Sequence, residues 1–211
     1  LLSVAPAFSS GLVLASHGRS DYAIVIATNA SPTVKHAAQE LADDLKQISG
    51  AALPVVSGPP SGPAIFVGVS SFLSSGFQKV RSANLSEEGF MICTAGRNLC
   101  LAGHDDRGTL YAVYAFLEEH LGVRWYAPDA TVLPPQDTVS VPELNETRTP
   151  AFSYRDTDEA IVFKNAAWDA HLKLNGVSVP DQADLGGINR LFNGAENFSQ
   201  LVPPGRYFAD H

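Results

Sequence analysis

His104, Asp105, Asp106 and Arg107 occupy four consecutive positions in the stretch AGHDDRGTLYAVYAFLEEHLGVRWYAPD, residues 102–129. Two adjacent carboxylates beside an imidazole and a guanidinium could act as acid and base, hold a phosphate, or begin a helix. The residues that follow decide among these. Leu110, Val113, Tyr114, Leu117 and Leu121 recur at helical spacing and Gly122 supplies a stop, which predicts a helix over about 107–120. Asp105 or Asp106 then stands where the free N–H groups of the first turn need an acceptor and the helix dipole favours negative charge. A phosphate site needs glycines and an unoccupied positive end, whereas carboxylates already fill this one. Neighbouring carboxylates at a cap also point in different directions, so paired acid and base work is not expected of them.

Other chemistry-bearing residues are scattered. The six histidines, His17, His36, His104, His120, His171 and His211, show neither H-x-H nor H-E-x-x-H spacing, so no metal site is predicted. No cofactor motif is present either. In GPPSG, Ser61 sits one place off the nucleophile pattern G-x-S-x-G, and the flanking prolines forbid the strand, turn and helix it needs. Trp125 and Tyr126 could stack on a sugar, but an aromatic pair just after a helix is expected in the core. No catalytic residue is assigned. Arg155 lies near the end of the segment AFSYRD, the start of a β-α-β run, and strand ends of that kind carry ligand-binding groups in (β/α)8 barrels. Its rigid fork of donors suits hydroxyls or carboxylates, and a salt bridge to Asp156 or Asp158 is the equal alternative.

The elements that must position these residues follow from pattern. Short strands are predicted at 12–16 and 22–27. Ser31, Pro32 and Gly50 then bound a helix whose stripe is Val34, Ala37, Ala38, Leu41, Leu45 and Ile48. LPVVSG and AIFVGV read as β segments separated by a Pro/Gly-rich loop. EEGFMICTAGRNLCLAG reads as a hairpin turning at Gly96–Arg97. That register sets Cys93 opposite Cys100 on one face, and Phe90, Ile92, Leu99 and Leu101 on the core face. The two cysteines are either a bridge formed under oxidising conditions or paired small hydrophobes. After the Pro-rich passage ending near Thr147, NAAWDAHLKLNG predicts another helix and GVSVP another strand.

With 211 residues, 45% hydrophobic and 17% charged, the chain has material for one full core and part of a second. Its net charge of -8 argues against nucleic acid and anionic membranes as partners. No apolar run approaches the roughly 20 residues of a membrane span. The start, LLSVAPAFSSGLVLASHG, lacks an initiator Met and a basic leader, so the expectation is a chain exported after removal of a signal peptide.

The stretches AAQELADDLKQISG, AIFVGV, residues 87–129 and TPAFSYRD together resemble the N-terminal region of bacterial α-glucuronidase-like proteins. The small domain is similar to the non-catalytic one preceding the barrel in family 67 α-glucuronidases and family 20 β-hexosaminidases. Its most specific element, D-x-R-G-x-L-Y-x-x-Y-x-F-L-E-x-x-L-G-x-R-x-x-x-P, is met from Asp105 and Arg107 through Gly122, Arg124 and Pro128. Pro150, Phe152 and Arg155 match the P-x-F-x-x-R segment whose Arg binds the sugar in the hexosaminidases. The resemblance therefore implies substrate contact for Arg155.

The expected architecture is α+β. Residues 1–147 form a mainly antiparallel sheet with two helices on one face, a non-catalytic N-terminal domain. Residues 148–211 form the truncated start of a (β/α)8 barrel, with PPGRYFADH as a barrel loop. The expected function is that of an accessory domain of a carbohydrate-active, glycoside-hydrolase-like protein, inactive alone, with catalysis in a downstream barrel. A non-catalytic carbohydrate-binding or scaffold module is the alternative. The expected partner is an oligo- or polysaccharide, and no cofactor is implied.

Overall fold

The structure, a computed structural model, describes residues 11–189. The readings made on residues 1–10 and on PPGRYFADH lie outside them. In chain order the first elements are β1 (Leu12–Ser16), β2 (Ala23–Val25), α1 (Pro32–Ser49), β3 (Val55–Val56), β4 (Ala64–Val67) and the short helix α2 (Gln78–Ser82). The hairpin β5 (Phe90–Ala95) and β6 (Asn98–Gly103) leads into α3 (Asp106–His120). Strands β7 (Arg124–Ala127), β8 (Ala130–Val132), β9 (Thr138–Val141) and β10 (Asn145–Arg148) follow, and then the helix α4 (Ala166–His171).

Six strands form the central sheet in the order β10-β5-β6-β4-β2-β3. The sheet is mixed rather than mainly antiparallel. Strands β3, β2, β4 and β6 run parallel, and only β5 is reversed, which makes its pairings with β6 and β10 antiparallel. The cause is connection length. A two-residue turn forces β5 and β6 antiparallel, whereas α1 carries the chain from β2 back to lay β3 alongside it in the same direction. Strand β4, Ala-Ile-Phe-Val, is buried throughout, the continuous apolar run of a parallel strand covered on both faces.

Helices α1 and α3 cover one face, where Leu41, Leu45, Tyr114 and Phe116 are buried with Ile24, Ile65, Ile92 and Leu99. The opposite face is also covered. A 3-10 turn, Ser75–Phe77, and α2 lay Phe77 and Val80 over Phe66, Met91, Cys93 and Cys100. Phe66 and Phe77 meet edge to face at 5.9 Å.

Local signals act as the residue types predict. Ser31 accepts the Val34 N–H, and Gly50 closes α1 at φ 74°. The hairpin keeps the expected register, Cys93 against Cys100. The two thiols are free, buried and hydrogen-bonded to each other, which draws Cys93 down and pushes Cys100 up.

Past residue 147 the structure departs from expectation. Strand β10 straddles the anticipated boundary and extends the sheet through its pairing with β5. Among the described residues no strand forms at 151–156 or 176–180, and the helix there is limited to α4. Arg155 shows why. Its N–H goes to the Asn175 side chain at 2.8 Å, and its carbonyl accepts from the N–H groups of Asn175 and Gly176 at 2.9 and 3.0 Å, so a loop contact uses the groups a strand ladder would need. The segment packs on the domain instead: Ala166, Ala170 and Leu185 join the main core, and Thr33 Oγ1 donates to the Ala183 carbonyl at 2.7 Å. Among the described residues no helix is long and apolar enough to cross a membrane.

Candidate functional site

The densest polar constellation is centred on Glu88, in the turn leading to β5. Glu88 is 3% exposed and holds a left-handed backbone, φ 58°. The N-terminus of α3 clamps this turn. Asp105 caps the helix by accepting the Gly108 N–H at 2.6 Å on one oxygen, and accepts the Glu88 N–H at 2.8 Å on the other. The His104 N–H reaches the Gly89 carbonyl at 2.8 Å. The approach is so close that a Cβ on Gly108 would lie 2.7 Å from the Gly89 carbonyl oxygen.

So held, the Glu88 carboxylate accepts three side-chain bonds. Arg107 Nη1 and Asn175 Nδ2 donate to Oε1 at 2.6 and 2.7 Å, and Arg155 Nη2 donates to Oε2 at 2.7 Å. Arg107 reaches on with Nε and Nη2 to the Gly186 carbonyl and with Nη1 to Asn189. Arg155 places its guanidinium 5.5 Å from the Tyr111 ring centroid and bonds the Tyr111 hydroxyl at 3.3 Å. Its Nε and Nη1 donate to the carbonyls of Lys173 and Phe152, both at 2.6 Å. Burial, reinforced by Glu88, pushes the Tyr111 hydroxyl up to about 12, so it stays a neutral donor or acceptor. One carboxylate thus compensates two guanidinium groups in a largely desolvated setting, where each partner depends on the others.

The node brings together Arg107 of the HDDR stretch and Arg155, and leaves Asp106 outside in solvent. Of the five N–H hydrogens of Arg155, four are engaged within the chain, which leaves one on Nη1. Neither Asp156 nor Asp158 pairs with it: Asp156 accepts from Tyr154, Thr157 and Ser178 instead. Glu88 and Asn175 escape sequence reasoning because no spacing rule relates residues 67 to 87 positions apart, and a left-handed Glu has no local signal.

A second polar contact fixes α4. Glu40 on α1 accepts from Tyr114 at 2.8 Å and pairs with His36 at 3.2 Å and with His171. Burial alone would raise the Glu40 carboxyl, but bonds from His171, His36 and Tyr114 bring it down to about 2. His171 stacks on Trp125, centroids 4.3 Å apart. Trp125 is therefore a core residue, 8% exposed, while Tyr126 is 70% exposed, so the two do not form one sugar platform. No group of three or more His, Cys, Asp or Glu fit for a metal ion occurs among the described residues.

Several clefts open beside these contacts. One of about 530 Å³ lies between the domain and the loop at Gly186, rimmed by Glu87, Asp105, Asp106 and Asp181. Another, about 310 Å³, lies at the ends of β4 and β6 beside the start of α1. A third, about 360 Å³, is walled by Tyr111, Arg148, Arg155 and Lys173.

Residues 14–116 match the family described as glycosyl hydrolase family 67 N-terminus. No curated protein matches the chain. Among solved structures the chain is similar to one described as a novel family GH115 4-O-methyl-α-glucuronidase with specificity for decorated arabinogalactans. The identity is 22% over 68% of this chain and 19% of that one, with a TM-score of 0.51. That likeness speaks to the fold alone, and the chain spans about a fifth of that enzyme's length. A GH138 enzyme targeting pectin rhamnogalacturonan II is 18% identical over 46% of this chain and 13% of that one. Its TM-score of 0.33 carries no argument. The part of the chain that is similar to the glycosyl hydrolase family 67 N-terminus, residues 14–116, thus holds Glu88 with Asp105 and Arg107 and stops short of Arg155 and Asn175.

Proposed function

We propose that this chain is the accessory N-terminal portion of an exported, carbohydrate-active protein of the glycoside hydrolase kind, and that its task is to seat a catalytic (β/α)8 barrel lying outside the described residues. The observation that carries this reading is the Glu88 node. Helix α3 spends its Arg107 on Gly186 and Asn189, and Tyr111 and Glu88 engage Arg155, so the densest set of polar contacts ties the domain to the segment that leaves it. Such a design holds a following domain in register and offers no nucleophile or acid pair for hydrolysis. Arg155 contributes its one remaining Nη1 hydrogen to ligand contact at the 360 Å³ cleft it walls. Uronic-acid-decorated polysaccharide is the substrate class of the whole protein under this reading.

The test compares the chain alone with the longer protein on an aryl α-glucuronide and on glucuronic-acid-decorated polysaccharides. Release of sugar by the longer protein only is the expected result. Hydrolysis by the chain alone, or none by either, removes the proposal.

A further inference from the structure

Adjacent parallel strands β2 and β4 send the chain to opposite faces of the sheet. From β2 it passes through α1, packed with Ile24 and Ile65 on one side. From β4 it passes through α2, whose Val80 packs with Val25 and Phe66 on the other. Where neighbouring connections diverge in this way, a crevice must open outside the carboxyl ends of the strands, and it is the usual ligand position in open α/β sheets. The 310 Å³ cleft is that crevice. It sits after β2 at Ala27–Ser31, after β4 at Gly68–Val69 and after β6 at Gly103–Asp106. Its volume is in the range of small-molecule pockets, roughly 300–1,000 Å³.

The lining residues divide into two groups. Ser31, Asp105 and Thr109 spend their side chains on the Val34, Gly108, Glu88 and Gly103 N–H groups. Asn29, His104 and Asp106 are exposed, and no side-chain bond or ion pair engages them among the described residues. Against these three unengaged polar groups stands an apolar wall of Val34, Val67 and Val69, the last 48% exposed. The positive end of α3 is already occupied by Asp105 and Asp106, so an anion would meet carboxylates rather than free N–H groups. We infer that this crevice binds a neutral, hydroxyl-rich ring of monosaccharide size, with hydroxyls on Asp106, Asn29 and His104 and a C–H face on the valines. The inference rests on the carbohydrate reading for its biological sense but not for its geometry.

The experiment is amide NMR titration of the chain with methyl α-D-glucopyranoside, its uronate counterpart methyl α-D-glucuronide, and inorganic phosphate. Saturable shifts at Gly68, Val69, Gly103 and His104 with the neutral glycoside are expected, with at least several-fold weaker binding of the uronate. Asn29→Ala and Asp106→Ala should each weaken the neutral glycoside about tenfold, the equivalent of one lost hydrogen bond. Both positions are exposed, so the fold should survive, and unchanged amide spectra away from the crevice verify it. Shifts confined to the Arg155 cleft would overturn this site while leaving the accessory-domain reading intact. Equal or tighter binding of phosphate or the uronate, no saturable shift, or variants that bind as well as the parent would each overturn it too. If the longer protein hydrolyses no glycoside and the crevice still fills with the neutral ring, the inference stands without the proposed function.

Discussion

At the scale of single residues, Glu88 decides the most. Its carboxylate is the shared counter-charge of Arg107 and Arg155, both largely buried. Glu88→Gln keeps the shape and removes the charge, so two guanidinium groups lose their compensation inside the protein. Breaking a buried pair from one side costs about 3–5 kcal/mol. Urea unfolding should show a loss of that order, with an unchanged slope. A loss below about 1 kcal/mol would mean that the node is solvated and of little consequence. Arg107 was legible as a structural residue because the helix pattern and the cap claimed its neighbours. Glu88, Asn175 and the Glu40–His171 contact were not, since each depends on partners brought together only by the fold. Arg155 shows the limit of reading a position by its place in a pattern: the expected strand end is a loop, and most of its donors face the chain itself.

At the scale of elements, α3 and the β5 turn form one unit. A methyl group on Gly108 would be 2.7 Å from the Gly89 oxygen and 3.1 Å from the Glu88 carbonyl carbon, backbone atoms that cannot swing aside. Gly108→Ala is therefore expected to destabilise by about 1–3 kcal/mol despite alanine's better helix propensity. Asp105→Ala, which removes the cap, should cost about 0.5–2 kcal/mol. Thermal denaturation of both variants checks this, and a Gly108→Ala protein as stable as the parent would show that the turn can move. Where a rule is local, the elements were readable: the caps of α1, the hairpin register and the α3 stripe all follow from residues within one or two turns. The parallel half of the sheet was not, because β3 has only two residues and its partner is set by where α1 deposits the chain. The helix α2 escaped for a related reason. Five residues without a capping side chain are held in place by Phe77 and Val80 docking on the far face.

At the scale of the molecule, buried carboxyls set the pH at which the fold is firmest. Burial, with Glu40 and Asp43 nearby, raises Asp44 from 3.8 to about 7, and burial beside Asp156 raises Asp169 from 3.8 to about 6. Both favour the folded state while protonated, so their contribution is full below about pH 3.8 and is lost as pH rises through 6 and 7. Glu40, lowered from 4.5 to about 2, contributes above pH 4.5 and loses that contribution as pH falls toward 2. The two slopes meet near pH 4.5, and the net charge of -8 at pH 7 adds self-repulsion on the alkaline side. The melting temperature should therefore decline from about pH 4.5 to about pH 8, and Asp44→Asn should flatten that decline, by roughly 2–4 °C for each kcal/mol recovered. A melting temperature that climbs over this interval would contradict the assignment. The left-handed backbone at Glu88 carries a further consequence, for how such chains diverge over time. Glycine would take that φ of 58° without strain, so drift at position 88 is easy for the backbone and ruinous for the two arginines it neutralises. Positions 88, 107, 155 and 175 are thus expected to change together or not at all among homologous chains, and a lineage that dissolves the set has also released the sheet from the segment that carries Arg155, Asn175 and Gly186.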